Sequence, residues 1–139
     1  ARTRVARQAM AAFLSGVWPA WLIEAGTFTP TDGGLVTAGD DKGAAIVYLD
    51  GPDGRVGRLI VDPDTHLVRR LIQPPQPATG GQAAVQEVVF TFSDFRAVGG
   101  VQLPHTIVRR VGPMQATWTI TSWEVNPTFR ATDFAPVRR

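Results

Sequence analysis

The chain has 139 residues, a net charge of +2 and no cysteine, which allows one domain with one core, burying roughly two thirds of the surface its unfolded form exposes. Lys42 is the only lysine among 14 basic residues, so the basic pI reflects arginine's high pKa more than an excess of charge, and no nucleic-acid partner is expected without a concentrated basic face. Disulfides, thiolate metal sites and cysteine nucleophiles are excluded, and no stretch reaches the ~20 apolar residues that a transmembrane helix needs.

Val5, Ala9, Met10, Phe13, Leu14, Val17 and Trp18 recur at spacings of three and four, which predicts an amphipathic helix with Arg4, Arg7, Gln8, Ala11 and Ser15 outside its apolar face. Arg2, Arg4 and Arg7 ahead of Ala9–Leu14 imitate a secretory signal, but Gly16 and Pro19 interrupt it and no small-residue cleavage site follows. Pro19 is placed to open a second short helical turn that Gly26 ends. From Thr27 the pattern alternates. Thr31-Asp32-Gly33-Gly34, Asp40-Asp41-Lys42-Gly43, Asp50-Gly51-Pro52-Asp53-Gly54 and Asp62-Pro63-Asp64-Thr65 read as turns that bracket strands near 35–39, 44–50, 56–62 and 67–73. Connections this short favour antiparallel neighbours.

The segment Pro74–Ala84, rich in proline and glycine, is the one long loop. Beyond it, Val88, Phe90 and Phe92 alternate on one strand, Val101, Leu103, His105 and Ile107 on the next, and Trp118 and Ile120 on a third, with Gly99-Gly100 and Gly112-Pro113 as the turns. Pro104 argues for a bulge or an unpaired edge. The shift of apolar positions from even to odd at Thr121-Ser122, before Trp123 and Val125, predicts another bulge. The expected fold is mainly β (α+β): a curved antiparallel sheet of about seven strands forming a half-barrel, with the N-terminal amphipathic helix on its concave face. It forms a single domain over 1–139, with a helical segment 1–25, first strands 27–73, a loop 74–84, a three-strand meander 85–126 and a tail 127–139.

Chemistry is sparse. His66 follows Asp62, Asp64 and Thr65 in a sequence suited to a type I turn; a cation site there would lack the further oxygen ligands, glycine and glutamate of a calcium loop. His105, sharing a strand face with Leu103 and Ile107, reads as a buried histidine bonded to a neighbour, or as the centre of a hydrolase if a nucleophile lay in reach. Ser15, Ser93 and Ser122 sit in no nucleophile elbow, and Asp94 reads as half of a cross-strand ion pair. No catalytic residue, metal ligand or cofactor is therefore assigned. The candidate site is apolar instead: Phe13, Trp18, Trp21, Tyr48, Phe90, Phe92, Leu103, Ile107, Trp118 and Ile120 form either the lining of a pocket between helix and sheet or a closed aromatic core.

The run Phe92-Ser93-Asp94-Phe95-Arg96-Ala97-Val98-Gly99-Gly100-Val101-Gln102-Leu103-Pro104-His105, followed by Trp123-Glu124-Val125-Asn126-Pro127 and Asp133-Phe134-Ala135-Pro136, resembles the C-terminal signature of the bacterial outer-membrane lipoprotein carriers (LolA/LolB-like). Leu59-Ile60-Val61-Asp62-Pro63-Asp64-Thr65-His66-Leu67 resembles a strand, turn and strand of the same group. The resemblance implies an incomplete apolar barrel covered by helices, in a periplasmic or envelope protein that holds acyl chains without catalysis. The family's N-terminal strands have no counterpart ahead of Ala1, and the expectation is that the chain is the C-terminal part of a longer protein. Exposed strand edges would then invite a homodimer or a role as a structural or interaction domain of a larger secreted or envelope protein.

Overall fold

The computed structural model describes residues 28–75, 86–125 and 128. Seven strands follow one another: β1 (Thr29–Leu35), β2 (Ala45–Gly51), β3 (Gly54–Val61), β4 (Val68–Gln73), β5 (Val88–Val98), β6 (Val101–Val111) and β7 (Met114–Thr119). They form one open antiparallel sheet in chain order, β1 to β7, with every pair of sequence neighbours hydrogen-bonded, and this sheet is not curled into the half-barrel expected. The described residues contain no helix. The helix predicted at the N-terminus, the second helical turn, most of the 74–84 loop and most of the 127–139 tail lie outside the described residues.

Short turns dictate this meander. Val98 pairs with Val101 across Gly99-Gly100, whose φ angles of 58° and 82° are those of the hairpin turn that matches the strands' right-handed twist. Gly112-Pro113 likewise joins the pair Val111 and Met114. Between β3 and β4 the loop is wider than the four-residue turn read from the sequence: Asp62 accepts from the His66 N–H at 2.9 Å and donates to the Leu67 carbonyl at 2.9 Å, with His66 at φ 59°.

The first strand departs from expectation. Thr31-Asp32-Gly33-Gly34 is not a turn but part of β1, and 36–44 forms the loop instead of a strand over 35–39. The pairing shifts between Asp32 and Leu35, a bulge held by the Gly34 N–H donating to Asp32 Oδ1 at 2.8 Å, with Gly34 at φ 78°. A glycine pair therefore bends an edge strand where it was expected to reverse the chain. At the other end of the sheet, Ile120 donates its N–H to the His105 carbonyl at 2.8 Å, the last bond of the β6–β7 ladder. Residues 120–125 then leave the strand, so the predicted bulge at Thr121-Ser122 falls in a segment outside the ladder. Pro104 is paired with Phe95 without a register shift and lies one residue past that last bond, where β7 no longer covers β6.

Directly opposed residues share a sheet face. Across β2 to β5 the pairs Val47–Leu59, Leu59–Leu71 and Leu71–Phe90 run in one row, and Phe92–Ile107–Trp118 extend the face to β7. Phe28, Leu49, Leu59, Leu71 and Phe92 form its buried cluster, with Val47, Val56, Val61, Val68, Phe90, Phe95 and Ile107 packed around them. On the opposite face Ile60 is buried, where the 36–44 loop reaches Arg70 through Asp41 at 3.2 Å.

Candidate functional site

The apolar face assembles six of the ten residues expected of a site. Phe92 and Leu103 are buried, Phe90 and Ile107 half-buried, Trp118 is 47% exposed, and Ile120 lies half-buried just past the end of β7. Burial therefore falls along one face, from complete at Leu49 and Leu71 to open along β7, all six of whose residues are exposed. Phe13, Trp18 and Trp21 lie outside the described residues.

Tyr48 belongs elsewhere. Its cross-strand neighbours are Thr31 and Arg58, and Arg58 is followed in the same row by Ile72, so it points to the face opposite Leu49. The phase could not be read from Ala44-Ala45-Ile46-Val47-Tyr48-Leu49, since a run that is apolar at every position fits either face. Tyr48 carries the Arg55 guanidinium 3.6 Å above its ring, a cation–π contact. Arg55 also donates from Nε to Asp50 Oδ1 at 3.0 Å, while Thr31 Oγ1 donates to Asp50 Oδ2 at 2.8 Å; the Arg55 bond, then the Thr31 bond, holds the Asp50 carboxyl below the usual range. Beside them Arg58 meets Glu87 at 3.2 Å. Tyr48, Arg55, Gly57, Arg58, Ile72, Pro74 and Glu87 line a shallow groove of about 230 Å³. Sequence reasoning missed this groove, because its partners are 29 residues apart at Arg58 and Glu87 and only the strand register brings them together.

The residues weighed for chemistry serve the backbone. Asp62 Oδ1 accepts from the N–H groups of Asp64 and Thr65, each at 2.9 Å, and Oδ2 meets the Arg69 guanidinium. The Thr65 N–H first, with Arg69 and the Asp64 N–H behind it, holds the Asp62 carboxyl down to about 2. Both oxygens are thus engaged by the turn, and among the described residues no cluster of three or more His, Asp or Glu could hold a metal ion. His105 is buried with Nδ1 3.2 Å from the Leu103 carbonyl oxygen, as a bonded core histidine would be.

Asp94 pairs within its own strand rather than across it: Arg96 donates to its two oxygens at 3.1 and 2.7 Å, which lowers the Asp94 carboxyl and raises the Arg96 guanidinium. Asp94 sits at φ 53°, a left-handed conformation that aspartate tolerates better than most residues. Phe92 before it belongs to the buried cluster and Phe95 after it packs against that cluster. The Trp123 Nε1–H donates to the Pro104 carbonyl at 2.9 Å, fastening the segment after β7 to the uncovered end of β6. Comparison with family models, curated proteins and solved structures gives no match. None of the described residues forms a helix long and apolar enough to cross a membrane.

Proposed function

We propose that the domain is a non-enzymatic binding module that holds an apolar ligand, such as a lipid or a lipoprotein acyl chain, against the surface made by Phe90, Phe92, Leu103, Ile107, Trp118 and Ile120. In this reading the amphipathic segment around residues 4–18, with Phe13, Trp18 and Trp21, covers the ligand on the open sheet. The observation that carries the proposal is the gradient of burial along one apolar face, closed at Leu49 and Leu71 and open at Trp118. An acyl chain needs such a continuous apolar surface and few polar groups. The LolA/LolB-like resemblance of residues 59–67, 92–105, 123–127 and 133–136 supports both the ligand class and a bacterial periplasmic or envelope location.

The test is titration with a fluorescent fatty acid, read by energy transfer from tryptophan. Trp118→Ala removes a half-exposed side chain and should weaken binding at least several-fold while leaving the fold intact, and Leu35→Ala, at the far edge of the sheet, should leave it unchanged. Saturable binding that is indifferent to Trp118 would refute this site.

A second reading, a structural or interaction domain of a larger envelope protein, is favoured by a different observation: β7 is exposed on both faces, and no described strand pairs with its outer edge.

A further inference from the structure

The two edges of the sheet are built differently. An exposed edge presents unpaired N–H and C=O groups, and monomeric proteins guard it with proline, charge or a bulge. β1 has all three, in Pro30, Asp32 and the register shift between Asp32 and Leu35. β7, Met114-Gln115-Ala116-Thr117-Trp118-Thr119, has no charge, proline or glycine, and its pairing with β6 runs without a shift. Its sequence is that of a strand with a neighbour on both sides.

We propose that the neighbour is a second copy of this chain, joined antiparallel through β7 about a twofold axis at Ala116, so that two sheets become one. The proposal rests on the interaction-domain reading and not on ligand binding. Because Ile120 donates to the His105 carbonyl, the even-numbered residues of β7 direct their backbone groups toward β6, and Gln115, Thr117 and Thr119 direct theirs outward. A twofold at Ala116 sets Gln115 opposite the partner copy's Thr117, and the converse, as hydrogen-bonded pairs.

The same operation sets Met114 opposite the partner copy's Trp118, on the face that carries Leu71 and Phe92. These are the most exposed large apolar side chains of the strand, at 70% and 47%, and pairing covers both with a sulfur–aromatic contact. Such self-complementarity is what an isologous interface requires. A strand with a charge, or with its apolar residues at one end only, would not have it.

The experiment uses the whole chain in sedimentation velocity over a hundredfold range of concentration, with single cysteines introduced into a protein that has none. A concentration-dependent dimer is expected. Thr117→Pro removes an outward N–H without touching the β6 ladder and should raise the dissociation constant by roughly tenfold or more; Thr117→Lys, which keeps the N–H and places like charges near the axis, gives the same readout if proline unfolds the strand. Ala116→Cys should cross-link on oxidation, since Cα atoms of such a non-hydrogen-bonded pair lie about 4.5 Å apart, within disulfide reach, and Leu35→Cys should not. A dimer that ignores both Thr117 variants, or cross-links through Leu35→Cys alone, overturns β7 pairing but leaves the interaction-domain reading standing. A monomer at every concentration overturns both.

Discussion

Leucine-to-alanine substitutions at Leu71 and Leu35 delete the same three carbons at the centre and the edge of the sheet. Leu71 is 0% exposed on the middle strand, between Leu59 and Phe90, whereas Leu35 ends the edge strand β1 and is 63% exposed. At about 0.8 kcal/mol per buried methylene, the carbons removed from Leu71 carry roughly 2.4 kcal/mol of transfer free energy. A close-packed site relaxes only partly, so the cavity left behind brings the expected loss to about 3–4 kcal/mol. At Leu35 only about a third of that transfer term applies and no cavity forms, giving less than about 1 kcal/mol. Urea unfolding followed by tryptophan fluorescence measures both, and the slope should be unchanged while the midpoint moves. Equal losses, or a loss below about 1 kcal/mol at Leu71, would refute the reasoning, because the face bearing Leu49, Leu59 and Leu71 would then not be the core.

Two further outcomes follow from local geometry. Asp62 titrates at about 2 in the fold against an ordinary 3.8, so its stabilisation is complete above pH 4 and fades as pH falls through that interval; acid unfolding curves should show Asp62→Asn destabilised at neutral pH and with a shallower decline between pH 4 and 2, and an unchanged decline would remove Asp62 from the turn's account. Gly100→Ala should cost about 1 kcal/mol from the left-handed backbone alone, because nothing lies within 4 Å of the added methyl. Gly99→Ala should cost more, since its methyl would also meet Val125 Cβ at 3.2 Å; thermal melts of the two variants check the order.

The strands from β2 onward were legible because proline, glycine and aspartate punctuate them, most tightly at the two-residue connections 52–53, 99–100 and 112–113. The apolar row Val88, Phe90, Phe92 and its continuation to Leu103, Ile107 and Trp118 were legible for the same reason: alternation fixes a face once the hairpin register is known. β1 was not, since Asp-Gly-Gly has the same local chemistry in a bulge as in a turn, and only pairing with β2 decides between them. Trp118 shows a further limit. Its face is written in the alternation, but its exposure depends on β7 being the last of the described strands, which no local pattern announces. The Asp94–Arg96 pair was equally hidden, because a left-handed aspartate in mid-strand has no compositional signal. The Tyr48 groove depends on register alone.

The measurement that tests the proposed function most directly is native mass spectrometry of the purified chain, with organic extraction of whatever accompanies it and re-addition of a fatty acid to the stripped protein. An apolar ligand bound at defined stoichiometry, lost on extraction, regained on addition and weakened by Trp118→Ala, is the predicted result. Protein that carries no lipid and takes up none would contradict it.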